Sequence, residues 1–223
     1  MKQSFDLTGS QVLALREFPI AAATDIDEGC IVKLATNLVV KAAATETGAI
    51  LGIAAENHGG SADAFNTRAN GTKILVYCSP SAAYEGAAVV LTASGGSTTT
   101  IVASTLADFG AADDVFNGGY AKLASKGASS TNTDAVGTIY GISDFDASEK
   151  TFTINAAGGA VTAADTFEIY PPIGFVGGNF NANISDVVLT ATAALPIKVV
   201  GWDVDAGKVF YAATLHEFGN KKA

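Results

Sequence analysis

This chain has little of what chemistry usually requires. Its 223 residues include 2 cysteines, 2 histidines and 1 tryptophan. Cys30 and Cys78 cannot make a disulfide framework or a zinc site. They are either buried thiols, the common state of a free cysteine in a core, or a single bridge if they sit opposite each other. His58 and His216 have no metal-ligand spacing, and no G-x-S-x-G nucleophile motif occurs. Basic residues are scarce as well. Lys and Arg number 13 against 22 Asp and Glu, a net charge of −9. Such a surface repels phosphate, which argues against nucleic-acid binding. It keeps a protein soluble at high concentration, which suits one present in many copies and equally an ordinary acidic protein. No run of about 18 uncharged apolar residues occurs, so no transmembrane helix and no membrane partner are expected. The positive mean hydropathy of +0.31 comes largely from alanine. The opening MKQSFDLTGSQ lacks the apolar centre of a signal peptide, so export by that route is not expected.

What the chain does have is short strands and tight turns, beginning with Pro19 to Gly60. Ile31, Lys33 and Ala35 alternate with Val32, Leu34 and Thr36, so one face can be buried and the other wet. Asp25 to Gly29 precedes them as a turn, and Thr36-Asn37 follows as another before Leu38-Val39-Val40. Ala49 to Ala54 is an apolar run whose length favours a strand over a helix. Lys73 to Tyr77 alternates, and Pro80 ends it. Further on, Gly137 to Ile142, Thr151 to Ile154 and Thr166 to Tyr170 read as strands, with a hairpin-like turn at Asn117-Gly118-Gly119 and a polar turn over Asp144 to Lys150. Strands at this spacing predict an all-β fold.

The organisation suggests three parts. Residues 1–18 are either a short helix capped by Ser10 and stopped by Pro19, or an extended arm that orders on docking to a neighbour. Ser94 to Thr100, SGGSTTT, reads as a flexible break. Near the end the texture of the first part returns. Ala22 to Thr36 aligns without gaps to Val200 to Thr214, with Asp25, Asp27 and Gly29 matching Asp203, Asp205 and Gly207. The echo is either a chance likeness of two hairpins or a sign that both ends pair into one barrel. The second reading gives residues 19–95 plus 190–223 as a small β-barrel or sandwich anchor, with 96–189 inserted as a second β domain.

Few residues invite a chemical reading. D-x-D-x-G at Asp25 and at Asp203 suggests calcium, but glycine occupies the third ligand position and no Glu follows at position twelve, so a turn is expected. His58 beside Glu56 is conceivable as a general base, yet no nucleophile accompanies it. Asp144, Asp146 and Glu149, which Asp113 and Asp114 could join in space, read as a solvated acidic turn before they read as a glycosidase pair. Trp202, Tyr77, Tyr84 and Phe65 suit core packing better than a sugar platform. Ser94-Gly95-Gly96-Ser97 lacks the Lys-Ser/Thr of a phosphate loop. No catalytic, cofactor-binding or metal residue is expected.

The order of parts resembles the capsid decoration (cement) proteins of tailed bacteriophages. Gly29, Ile31, Val32, Gly52, Ile53 and Ala54 carry the likeness at the front, and Pro196, Val199, Val200 and His216 carry it at the end. Val115 to Tyr170 loosely resembles a β module of phage head and tail structural proteins. The resemblance implies a non-enzymatic virion protein, made in the host cytoplasm and carried on the capsid exterior. It would bind the major capsid protein in many copies and stabilise the head, either as a monomer or as a homotrimer. Residues 1–18 would latch onto a neighbour. The other readings are a phage fibre or receptor- and glycan-binding structural protein, and a β-rich hydrolase using His58.

Overall fold

A computed structural model describes residues 3–6, 14–21, 24–43, 46–59, 72–104, 112–180, 187–191 and 196–217. Every regular element among them is a β-strand, as the turn and alternation pattern predicts. The first part contains β1 (Gln3–Asp6), β2 (Leu15–Pro19), β3 (Ile31–Ala35), β4 (Leu38–Lys41), β5 (Gly52–Ala54), β6 (Lys73–Tyr77) and β7 (Ala82–Ala87). The middle contains β8 (Val89–Gly96), β9 (Thr100–Ala103), β10 (Tyr120–Ser125), β11 (Ile139–Asp146), β12 (Thr151–Ile154) and β13 (Thr166–Tyr170). The end contains β14 (Gly177–Phe180), β15 (Val187–Ala191), β16 (Ile197–Asp203) and β17 (Lys208–Ala213).

The closed barrel is the middle part. Its strands run β10-β11-β12-β9-β8-β13 and back to β10. β13-β10-β11-β12 is a Greek key, and the β8–β9 hairpin completes the circle. Buried residues alternate along β9, β10 and β12, and a bulge between Ile142 and Asp144 shifts the alternation in β11; Leu91, Ile101, Leu123, Phe145, Phe152 and Phe167 are buried. The barrel or sandwich expected of the two ends takes the form of a four-stranded and a five-stranded sheet, and the closed barrel lies in the inserted part.

The two ends do pair. β7 lies between β1 and β17 in the four-stranded sheet β1-β7-β17-β16. The first part also forms the sheet β2-β6-β5-β3-β4, whose edges are drawn together by a parallel bridge between Ile20 and Val39. The β3–β4 turn is short because Thr36 and Asn37 both take positive φ, 52° and 67°, the geometry of a two-residue hairpin. These sheets, with the separate β14–β15 ribbon, are called the base below.

Three further expectations change. Ser94 to Thr100 is not a break. It is the β8–β9 hairpin, and the barrel begins one residue after β7, at Val89. Leu15 to Phe18, the end of the expected helix, is strand: the edge of β6 offers a full ladder, with Leu15 opposite Tyr77 and Phe18 opposite Ile74. Its expected cap, Ser10, lies outside the described residues. Of the segment expected to be an arm, Gln3–Asp6 and Leu15–Pro19 belong to the protein's own sheets. Asn117-Gly118-Gly119 does not join two half-strands either. Residues 113–118 coil into turns that drive Phe116 into the barrel mouth.

Candidate functional site

The two D-x-D-x-G segments are turns, and each meets a lysine from another strand. In the first, Gly29 sits at φ 89° and its N–H donates to Ala54. Lys41 Nζ approaches Asp27 at 3.3 Å. In the second, between β16 and β17, Gly207 sits at φ 67° and the Ala206 N–H donates to Asp203 Oδ1 at 3.0 Å. Among the described residues no group of three or more His, Cys, Asp or Glu is placed to hold a metal ion.

Both histidines are buried in structural positions. His58 exchanges backbone hydrogen bonds with Ile26, and its Nδ1 donates to the Thr24 carbonyl at 2.9 Å. Glu56, the neighbour that suggests a general base, accepts the Leu75 N–H at 2.8 Å. His216 bridges Ile50, so it fastens the end of the chain to the first part. Burial pushes its imidazole down to about 4, against a smaller opposing pull from a backbone bond at Leu51. The two cysteines are free and buried. Cys30 pairs with Ala54 of β5 while Cys78 follows β6, so β5 lies between the thiols. Burial raises both above the usual thiol range.

The acidic residues near the barrel rim do come together. Asp113 accepts the Ala147 N–H at 2.9 Å, and Asp146 Oδ1 accepts the N–H groups of Ser148 and Glu149. Asp114 accepts the Asn117 amide at 2.9 Å and also shares a hydrogen bond with Asp144, whose carboxyl it raises. Two carboxyls in direct contact leave no room for the sugar and water of a glycosidase site. They form a turn cluster. The proposed sugar platform does not assemble either. Tyr84 is buried and donates to the Tyr77 carbonyl, and Trp202 is packed far along the chain against Tyr120. Phe65 lies outside the described residues.

Two clusters carry more of the structure than the sequence suggests. At one end of the barrel, fully buried Asp165 accepts from the N–H groups of Gly127 and Thr162 and from the hydroxyls of Ser130 and Thr162. Burial alone would raise its carboxyl, but these donors outweigh it and hold the group below the ordinary range. Beside it Asp134 accepts from Gly158 N–H and Tyr140 Oη, and Asn132 donates to Tyr140. These bonds strap two loops over the barrel mouth. The local signal is Thr162-x-x-Asp165, a short self-bonding turn that is too common to single out.

The second cluster joins barrel to base. Lys122 of β10 reaches Glu168 of β13 at 3.0 Å and donates to the Val204 carbonyl, in the β16–β17 turn, at 2.8 Å. Tyr170 donates to Glu168 at 2.6 Å and to the same carbonyl at 3.3 Å. Burial first, and then the bond to Glu168, raises the Tyr170 phenol. Trp202 donates from Nε1 to the Pro171 carbonyl at 3.0 Å and meets Tyr120 edge to face at 5.2 Å. Nothing in the spacing of Lys122, Glu168 and Val204 announces this meeting. Compared with family models, curated proteins and solved structures, the chain matches none.

Proposed function

We propose that this is a structural virion protein that binds the outer surface of a phage head in many copies and stabilises the capsid. The observation that carries the proposal is architectural. Both ends of the chain meet in one base sheet at β7 and β17, and a closed, side-chain-filled barrel is inserted between those two strands. An anchor with one compact module mounted on it suits a surface protein. The groups that invite catalysis also have other work. His58, Glu56, Asp113 and Asp146 hold backbone groups in place. In this reading the base contacts the major capsid protein and the barrel faces outward. Affinity comes from repeated small contacts multiplied by copy number. A terminal latch is not part of the proposal, because β1 and β2 complete the protein's own sheets.

The test is co-sedimentation with decoration-free heads of the parent virus, counting bound copies by quantitative mass spectrometry. Saturation at hundreds of copies, matching a lattice position, is the expected result. Binding at a handful of copies would move the protein to a tail or fibre. No binding would remove the capsid reading.

A further inference from the structure

We infer that the β16–β17 turn is a releasable lock that sets the orientation of the barrel on the base. The inference does not depend on the capsid reading. The two bodies are joined covalently at two short places. One is Ala88, the single residue between β7 and β8. The other is residues 171–176, which leave β13 at Pro171 and reach the edge of β16, where the Val199 N–H donates to Phe175. Neither connection has regular structure of its own, so neither sets an angle by itself.

The lock is built from polar groups on both sides. The base supplies the Val204 carbonyl, and the barrel supplies Lys122 and Tyr170 as donors, with Glu168 between them. Lys122 and Glu168 are mostly buried, 18% and 23% exposed. An alternative orientation would leave their ion pair intact but strip Lys122 and Tyr170 of the Val204 carbonyl in a half-dry place. Gly207 completes the fit. Its positive φ makes the tight turn, and a Cβ there would lie 3.5 Å from the Glu168 carboxylate. The Ala88 N–H donates to the Gly207 carbonyl at 2.9 Å, so the covalent joint is itself held by the turn. Opening the turn frees Ala88 at the same stroke. The joint has an apolar part as well, since one buried cluster holds Phe116 and Phe145 of the barrel together with Val199, Val209 and Tyr211 of the base. Apolar contacts alone could slide, and the polar partners add one specific register to them.

The chain carries its own reporter. Trp202 is the sole tryptophan, and its indole N–H is bonded across the seam to Pro171. Native-state hydrogen exchange on the full-length protein should show the Ala88 amide and the Trp202 indole exchanging before the core amides of Phe152 in the barrel and Val32 in the base. Lys122→Met should speed those two joint protons by about tenfold or more, the equivalent of one lost hydrogen bond to a charged group, and shift Trp202 emission to the red. The core amides should keep their protection. Should Lys122→Met fail to fold, the wild-type exchange order and Glu168→Gln still decide the matter. Joint protons that exchange only together with both cores would overturn the lock, as would a folded Lys122→Met protein with unchanged Trp202 exchange.

Discussion

The barrel and the curled five-stranded sheet solve the same packing problem with different side chains. The barrel is filled with rings. Phe116 meets Phe145 edge to face at 4.9 Å, Phe145 lies 4.6 Å from Phe152, Phe175 stacks on Phe116 at 5.4 Å, and Tyr140 meets Phe167 at 6.2 Å. The five-stranded sheet buries no aromatic residue among its described core. It packs Ile20, Ile26, Val32, Val39, Leu51, Ile74 and Val76 around Cys30 and Cys78. The difference follows from size. Six strands closed on themselves enclose a volume that only large side chains fill, whereas five strands drawn together at Ile20 and Val39 leave room for branched aliphatics and thiols.

The comparison can be broken most sharply from the barrel side. Phe152→Ala removes a ring from the centre of the aromatic cluster and should cost about 3–5 kcal/mol by urea denaturation. Barrel amides should lose protection while those around Val32 keep theirs. Equal loss in both cores would mean the molecule has one cooperative unit. On the base side the largest effect should come from Gly52→Ala. Gly52 sits at φ 151°, and a Cβ there would lie 1.9 Å from the Tyr77 carbonyl. Strain of this kind should cost on the order of 3 kcal/mol, read as a lowered melting temperature.

Asp165→Asn tests the strapped mouth. The amide keeps one acceptor oxygen but loses the charge that four donors share, so about 2 kcal/mol should go, with faster exchange at Gly127 and Thr162. Acid should separate the two regions without mutation. His216, in the base, is held down to about 4 against an ordinary value of 6.5. Unfolded chains therefore bind this proton first, and base stability should decline as pH falls from 6.5 toward 4. Asp165, in the barrel, is held below 3.8, so its contribution is present above that pH and is lost below it. Chemical denaturation followed by exchange across this range should show the base weakening before the barrel; the opposite order would contradict both assignments. The smallest effect belongs to Ile74→Val, about 1 kcal/mol, since the aliphatic core can close around one missing methyl.

Strands with clean alternation were legible in the sequence. Lys73–Tyr77, Thr151–Ile154 and Thr166–Tyr170 stand where the pattern puts them, because each has one wet and one dry face. The two ends meet through β7 and β17, a pairing the sequence did not single out: the echo of Asp25 to Gly29 in Asp203 to Gly207 is a likeness of turns, and β3 pairs with β4 and β5. What misled was glycine. Gly95 and Gly96 look like a flexible break, yet a Cβ at Gly96 would lie 2.2 Å from the Thr100 carbonyl, and the strand bulges between Ala93 and Gly95. Here glycine permits close approach inside a hairpin. The joint of Lys122, Glu168 and Val204 was illegible for another reason. It exists only once two distant segments have folded and met.

The base sheet also decides how the molecule would carry a load. Among the described residues β1 is the first strand and β17 the last, and both flank β7, running parallel to one another with Gln3 and Tyr211 each level with Tyr84. Tension applied at the two ends of the chain would pull β1 and β17 in opposite directions along β7. That is a shearing geometry, in which the ladder bonds share the force. The barrel is inserted between β7 and β17, so it lies off the line of pull for as long as that ladder holds.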